Sequence, residues 1–246
     1  MVKLFFTSAT LLLLSCAKPA TTRQATVPSS PVVPDTSVII LPNTTPGKTY
    51  LALGDSYTIG QSVIESEQFP VQAATQLTSL NIKFSTPEII AQTGWTTGNL
   101  LSRLSTAAPG KPSYDIVSLL IGVNNQYQHR TQDEYRQQFE TLLIKSIQYA
   151  GNRKERVFVL SIPDYSVTPF ASNSDTAFIA RQIDSFNVIN KQIALQYSVN
   201  YLDITGFTRM AATNTSLIAG DGLHPSGIEY RVWADNLVPM IRSALQ

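Results

Sequence analysis

The residues with the clearest chemical potential are one serine and an acid and imidazole that lie far from it in the sequence. Ser56 follows Gly54 and Asp55 after a short apolar run, whereas Asp221 and His224 lie three residues apart near the C-terminus. A serine hydroxyl is a weak nucleophile until an imidazole accepts its proton, and that imidazole needs a carboxylate to fix its tautomer. These residues therefore predict nucleophilic catalysis, with Ser56 as nucleophile, His224 as base and Asp221 as orienting acid.

Acyl transfer also needs hydrogen-bond donors that face the oxyanion formed during the reaction. Gly94 would let the backbone approach closely, and Asn124 follows Gly122 after the most apolar run of the sequence. We therefore interpret Gly94 and Asn124 as candidate oxyanion donors. Taken singly, each has a plainer interpretation, because glycines are common in turns and asparagines cap loops.

The catalytic candidates also have structural interpretations when each is taken alone. Ser56 stands where a helix N-cap occurs, and an Asp and a His at the spacing of Asp221 and His224 often cap a surface loop. The combination is more specific, because all the candidates follow predicted strands. The other histidine, His129, lies in a polar stretch and is predicted to be an exposed loop residue.

The predicted elements explain how distant residues could meet. Apolar runs predict five strands, at residues 49–53, 83–90, 115–121, 156–162 and 199–203. Longer segments with helical spacing predict helices at 69–80, 98–107, 134–150, 175–197 and 226–245. Strands separated by helices indicate right-handed crossovers and a parallel sheet between helix layers. In such a sheet, functional residues gather at the carboxyl ends of the strands, where every candidate lies.

Four short blocks that contain the candidates occur in the same order as in a known family, the SGNH or GDSL hydrolases, which the chain resembles. The blocks are Gly54-Asp55-Ser56, Gly94 with Thr96 and Thr97, Gly122-Val123-Asn124-Asn125, and Asp221-Gly222-Leu223-His224-Pro225. The resemblance covers residues 49–246 and implies a flavodoxin-like three-layer α/β/α sandwich with a mostly parallel five-stranded sheet. Two positions depart from the family pattern: Asn125 replaces a common aspartate, and Gln92 lies where asparagine is frequent.

The resemblance implies ester hydrolysis through a covalent acyl-enzyme, without a metal or an organic cofactor. It makes Ser56 the nucleophile, His224 the base and Asp221 the acid, and it assigns the oxyanion to the amides of Ser56 and Gly94 and the side chain of Asn124. Activity is then expected to fall as His224 becomes protonated.

The substrate is predicted less sharply than the reaction. Tyr57, Trp95 and Asn125 are the candidate pocket residues, together with the loop 163–170. The family resemblance allows O-acetyl groups on polysaccharides, lysophospholipids and other small esters. We favour short acyl groups, on glycans or small lipids, because no segment resembles a long lipid-binding lid. Two alternatives stay open: a non-catalytic surface module that binds a glycan, and an acyltransferase.

The N-terminus has the pattern of an exported protein. Residues 1–15 carry Lys3 and an apolar stretch too short to span a bilayer, which is typical of a secretory signal. Leu13-Leu14-Ser15-Cys16 resembles a bacterial lipobox, which implies lipidation of Cys16. Residues 16–48 are rich in Pro, Thr and Ser and predict an extended tether. We therefore expect a hydrolase domain at 49–246, anchored to a membrane of the bacterial cell envelope.

Composition narrows the possible partners. Cys16 is the single cysteine, so the chain can form no internal disulfide and no thiolate zinc site. The formal net charge is +1, and residues 49–246 hold 14 basic and 16 acidic side chains, so no nucleic-acid surface is predicted. Ester substrates and the membrane at Cys16 are the expected partners, and a monomer is the favoured state.

Overall fold

The computed structural model describes residues 46–246, in which five strands form one sheet. The strands are β1 (Tyr50–Gly54), β2 (Glu88–Ala91), β3 (Ile116–Leu120), β4 (Val157–Leu160) and β5 (Asn200–Leu202). Every residue of β1, β3 and β4 is buried, as expected where helices cover both faces of a parallel sheet. The five predicted strands are all present.

The strands are ordered β2-β1-β3-β4-β5, and every neighbouring pair is parallel. Gly54, the last residue of β1, is aligned with Ala91 on one side and with Leu120 on the other. Strands β2, β1 and β3 therefore end at the same level. This confirms the predicted α/β/α class and places the loops that follow β1, β2 and β3 side by side.

The five longer helices match the predicted segments closely, and the described residues also form three short α-helices that were not predicted. Together they are α1 (Ser56–Ile59), α2 (Phe69–Ser79), α3 (Thr97–Thr106), α4 (Val123–Tyr127), α5 (Gln132–Tyr149), α6 (Thr176–Gln196), α7 (Thr205–Arg209) and α8 (Gly227–Ala244). Helix α2 packs against α8, while α5 packs against α3 and α6. Right-handed crossovers put these two groups on opposite faces of the sheet. No helix in the described part of the chain is long and apolar enough to cross a membrane.

The second strand is shorter than predicted. The segment 83–90 was expected to be one strand, but regular pairing begins only at Glu88, and Phe84 makes an isolated bridge with Lys48. Pro87 lies between these two pairings and has no N–H to donate, so it interrupts the ladder at this edge of the sheet.

The predicted signal segment 1–15, Cys16 and the tether up to residue 45 lie outside the described residues. The first described residues already belong to the fold. The amide of Lys48 donates to the carbonyl of Lys83 at 2.8 Å, and the amide of Ser85 donates to the carbonyl of Lys48 at 2.9 Å. Lys48, one residue before the expected boundary at residue 49, is therefore already hydrogen-bonded to the folded part.

Candidate active site

Ser56 is the first residue of the short helix α1, immediately beyond β1. Asp55 is the N-cap, and its carboxylate accepts the amide of Tyr57 at 3.0 Å. The capping role is thus taken by Asp55, which leaves the Ser56 hydroxyl available for chemistry. Gly54 is required because a Cβ there would lie 2.4 Å from the carbonyl oxygen of Leu120 on the neighbouring strand. The close packing of β1 against β3 therefore fixes the start of the turn that presents Ser56.

Asp221 and His224 form a closed pair on the loop before α8. The Nδ1 of His224 lies 2.6 Å from Oδ2 of Asp221, and the amides of Leu223 and His224 both donate to Oδ1 at 3.0 Å. Gly222 provides the reversal between them with φ of 72°, in the left-handed region that favours glycine. The loop backbone thus orients the carboxylate that fixes the imidazole tautomer.

The electrostatics of this pair keep the acid ionised. Burial alone would raise the pKa of Asp221, but hydrogen bonds from His224, Ser62 and two backbone amides outweigh burial and hold its pKa well below the usual range. A carboxylate that stays charged at all working pH values can stabilise an imidazolium at His224 during turnover.

Ser56 and His224 line the same cleft, so the structure brings together the two ends of the folded chain that the sequence predicted to meet. No hydrogen bond joins the Ser56 hydroxyl to the His224 ring among the bonds of residues 46–246. Catalytic hydrogen bonds are often long without substrate and shorten in the Michaelis complex. The ring of Tyr57 supports the imidazole from the side, with ring centroids 5.0 Å apart.

The candidate oxyanion donors lie on the same cleft. The amides of Ser56 and Gly94 donate to no acceptor within residues 46–246. Asn124 uses one side-chain hydrogen to bond the carbonyl of Trp95 at 3.0 Å, and an amide has a second hydrogen to donate. Gly94 has φ of 82° and open space around its Cβ position, so the backbone conformation is what requires glycine there.

Gly122 places Asn124 by a different constraint. It has φ of 131°, and a Cβ at this position would lie 2.5 Å from the ring of Tyr135 and 2.8 Å from Ile162. The chain must pass this close to the core to begin α4 at the end of β3. A glycine is therefore needed for both conformation and space, and the first turn of α4 carries Asn124 into the cleft.

The cleft has a volume of about 140 Å³ and is mainly apolar away from the reacting groups. Its lining consists of Ser56, Tyr57, Thr93, Gly94, Val123, Asn124, Tyr127, Tyr165, Phe170, Leu223 and His224. Tyr127 and Phe170 form the outer wall, with ring centroids 6.0 Å apart and about half of each side chain exposed. The predicted loop 163–170 thus contributes the wall through Tyr165 and Phe170, whereas the sequence had not singled out Tyr127.

Two of the three predicted pocket residues, Trp95 and Asn125, do not line the cleft. Asn125 is fully buried. Its side-chain carbonyl accepts the backbone amide of Thr97 at 2.9 Å, and its side-chain amide donates to the Thr97 hydroxyl at 2.7 Å. It points away from the cleft because neighbouring residues on a helix face different sides, and it fastens the glycine block to α4. Trp95 packs against the hydrophobic core, and only its carbonyl serves the site. Tyr57 does line the cleft.

Three further polar residues have clear positions. Gln92 is exposed and His129 is an exposed turn residue with φ of 55°, and neither lines the cleft. Sequence reasoning missed Ser62, whose hydroxyl donates to Oδ2 of Asp221 at 2.7 Å. No motif could have identified Ser62, because its partner lies far away in the sequence.

Two buried carboxyl groups lie beside the catalytic elements. Burial raises the pKa of Asp55 to about 7, against the opposing hydrogen bonds from the amides of Tyr57, Asp55 itself and Gly122. Burial likewise raises the pKa of Glu229 to about 7, although Trp233 Nε1 donates to it at 3.2 Å. Glu229 and His224 line a water-sized cavity of about 10 Å³ behind the cleft.

Comparisons with known proteins agree with this arrangement. A family model described as the GDSL-like lipase/acylhydrolase family matches residues 52–232, more than half of the chain. Among solved structures, TesA aligns with a TM-score of 0.64 at 17% identity, covering 80% of this chain and 100% of its own. Axe2, an acetylxylan esterase from Geobacillus stearothermophilus, aligns with a TM-score of 0.61 at 18% identity, covering 80% of this chain and 94% of its own.

A lipase/acylhydrolase from Enterococcus faecalis aligns similarly, with a TM-score of 0.61 at 18% identity, covering 81% of this chain and 97% of its own. At these identities the structural likeness establishes the shared fold. A comparison with curated proteins finds no match.

Proposed function

The chain belongs to the GDSL-like lipase/acylhydrolase family, and we propose that it hydrolyses short-chain carboxylic esters at Ser56 through a covalent acyl-enzyme. One observation carries this proposal: the imidazole that is paired with Asp221 at 2.6 Å lines the same small cleft as Ser56 and the three candidate oxyanion donors. A binding module would have no use for a nucleophile, a base and oxyanion donors that line one cleft.

The first half-reaction forms the acyl-enzyme. Ser56 Oγ attacks the ester carbonyl carbon while His224 Nε2 takes the hydroxyl proton, and Asp221 stabilises the resulting imidazolium. The carbonyl oxygen becomes an oxyanion, which the amides of Ser56 and Gly94 and the side chain of Asn124 are placed to bind. The bond to the leaving alkoxide then breaks, and His224 returns its proton to that oxygen.

The second half-reaction uses the same groups with water as nucleophile. His224 removes a proton from the water, the new C–O bond forms, and Ser56 leaves with the proton that His224 returns. The site requires His224 to be neutral at the start of each half-reaction. The rate is therefore expected to fall toward acid pH, which a pH–rate profile measures.

The size of the cleft supports short acyl groups. Its volume of about 140 Å³ is smaller than the roughly 300–1,000 Å³ of sites for drug-sized ligands. Val123, Tyr165 and Leu223 give it apolar walls that suit a few carbons of acyl chain. We therefore propose small esters as substrates, with O-acetyl groups of glycans as the leading class. The acetylxylan esterase among the structures that share this fold is in keeping with that class.

The experiment that tests the proposal combines hydrolysis with active-site labelling. The purified protein is expected to hydrolyse p-nitrophenyl acetate and butyrate faster than the octanoate, and to gain the mass of a fluorophosphonate probe at Ser56. Ser56→Ala should lose both properties. Ser198→Ala is the matched control, because it removes an exposed serine hydroxyl outside the cleft. A well-folded protein that neither hydrolyses these esters nor reacts with the probe would favour the glycan-binding alternative.

An acyltransferase would label in the same way, so the products decide between the two reactions. Acetylated xylooligosaccharides with and without added sugar acceptors are the test substrates. Free acetate in a constant yield supports hydrolysis, whereas acetylated acceptor at the expense of acetate supports transfer.

We also propose that Cys16 is lipidated and anchors the enzyme to an envelope membrane. The support is the sequence Leu13-Leu14-Ser15-Cys16 before a Pro/Thr/Ser-rich segment. Expression in a bacterium with an alkyne-labelled fatty acid should label the full-length protein and place it in the membrane fraction, whereas Cys16→Ser should be unlabelled. Labelling that persists in Cys16→Ser would refute the assignment.

A further inference from the structure

The turn that follows the nucleophile helix contacts three parts of the candidate active site. This turn, Gly60–Ser62, begins where Gly60 ends α1 with φ of 68°. The amide of Gln61 donates to the carbonyl of Ser56 at 3.0 Å, and its side-chain carbonyl accepts the hydroxyl of Thr93, the neighbour of Gly94, at 2.7 Å. Ser62 Oγ donates to Oδ2 of Asp221 at 2.7 Å. Three consecutive residues thus connect the nucleophile, the glycine block and the acid.

Ser62 has an unfavourable backbone conformation for a serine. Its φ is 69°, in the left-handed region that residues other than glycine and asparagine rarely adopt. Glycine would fit this conformation without strain, as it does at Gly60 two residues earlier. Strained non-glycine residues concentrate at functional sites, where the side chain contributes something that glycine cannot. Here the serine contributes one hydrogen bond, and its acceptor is Asp221.

The other hydrogen bonds of Asp221 show what the bond from Ser62 contributes. Oδ1 accepts two backbone amides from its own loop, whereas the partners of Oδ2 within residues 46–246 are His224 Nδ1 and Ser62 Oγ. Oδ2 is the oxygen that fixes the imidazole, and the Asp221 side chain is 30% exposed, so water can compete for it. The Ser62 hydroxyl donates to Oδ2 in place of such a water, and Ser62 belongs to the same segment as the nucleophile.

We propose that Ser62 is a positioning residue that holds Oδ2 of Asp221 toward His224 and so aligns the acid–base loop with the nucleophile helix. The inference rests on the proposed hydrolase function and adds a residue to its machinery. Ser62 does not line the cleft, so it acts through Asp221 and leaves substrate binding to other residues.

Three substitutions at Ser62 separate the effect of the hydroxyl on activity from the effect of backbone strain on stability. Ser62→Ala and Ser62→Gly lose the hydroxyl and should lower kcat about fivefold with KM within about twofold, since the lost bond is charge-assisted but partly exposed. Ser62→Thr keeps the hydroxyl and should keep most of kcat. Stability should follow the opposite pattern, because glycine relieves the left-handed strain and β-branched threonine increases it.

A matched control comes from a second left-handed serine. Ser198 has φ of 57° and is exposed after α6. Ser198→Ala therefore makes the same substitution at a left-handed position, away from the site. It should leave kcat and KM unchanged. The measurements are steady-state kinetics with p-nitrophenyl acetate and thermal unfolding of each variant.

Two outcomes overturn the inference in distinguishable ways. If wild-type protein is active and Ser62→Gly has its full kcat, or if kcat follows stability across the variants, then Ser62 has only a structural role and the hydrolase function stands. If wild-type protein neither turns over esters nor labels at Ser56, the proposed function fails and the inference fails with it.

Discussion

Replacing Glu229 by glutamine should make the stability of this protein less sensitive to a rise in pH from about 4.5 to about 7. Glu229 lies in the first turn of α8 with 3% of its surface exposed, and its hydrogen-bond donor is the neutral indole of Trp233. None of the ion pairs formed by residues 46–246 includes it. Burial without a cation disfavours the ionised carboxylate, which is why the pKa of Glu229 rises from 4.5 to about 7.

The sign of the effect follows from proton binding in the two states. Between the unfolded pKa of 4.5 and the folded pKa of about 7, the folded state holds a proton that the unfolded state has released. Stability from Glu229 is therefore greatest in acid and is lost as the pH rises through about 7. A difference of about 2.5 pKa units corresponds to about 3 kcal/mol. Glutamine keeps the shape of the Glu229 side chain and carries no charge at any pH in this range.

The assay compares thermal unfolding of wild type and Glu229→Gln from about pH 5 to about pH 9. The two should be similarly stable near pH 5, and the variant should gain about 3 kcal/mol by pH 9, or about 6 to 12 °C in Tm. Glu155→Gln removes an exposed carboxylate and controls for the loss of one charge. An advantage of Glu229→Gln that is constant with pH, or that grows toward acid, would refute the reasoning.

Two further predictions concern the geometry of the cleft. Gly122→Ala should lower the free energy of unfolding, measured in urea, by about 3 kcal/mol. The alanine would have to adopt a left-handed φ of 131°, and its new methyl group would lie 2.5 Å from the ring of Tyr135. Unchanged stability would contradict the close approach. Phe170→Ala should raise KM about fivefold with little change in kcat, since the ring forms the cleft wall and touches no reacting atom. Steady-state kinetics with p-nitrophenyl butyrate would show the opposite split if Phe170 acted on the chemical step.

The sequence predicted the fold well because the fold depends on short-range patterns. Buried parallel strands leave near-continuous apolar runs, such as the one at β3, and the helices between them are long enough to show their period. The order of the strands was not predicted, because right-handed crossovers still leave several orders possible. The prediction was least accurate at β2, where Pro87 limits pairing on an edge strand and the apolar pattern alone does not show which residues are bonded.

The candidate site could be predicted in its residue types but not in the directions of its side chains. Ser56, Gly94, Asn124 and His224 all line one cleft, because a parallel sheet brings the loops that follow its strands to the same edge. Asn125 was misassigned because a change of one residue along α4 turns a side chain from the cleft into the interior. Such a choice depends on what packs behind the helix, and a single sequence does not show it.

The arrangement of the site indicates which contacts align Ser56 with the Asp221–His224 pair. Asp221 and His224 share one loop, so their relative orientation is set locally by backbone amides. Ser56 belongs to a different segment, and its position relative to that loop must be set by contacts between the two segments. Two such contacts among residues 46–246 are the Tyr57 ring against His224 and the Ser62 hydroxyl on Asp221. Changes at these two contacts should therefore affect the rate of the chemical step more than changes of equal size elsewhere in the loop.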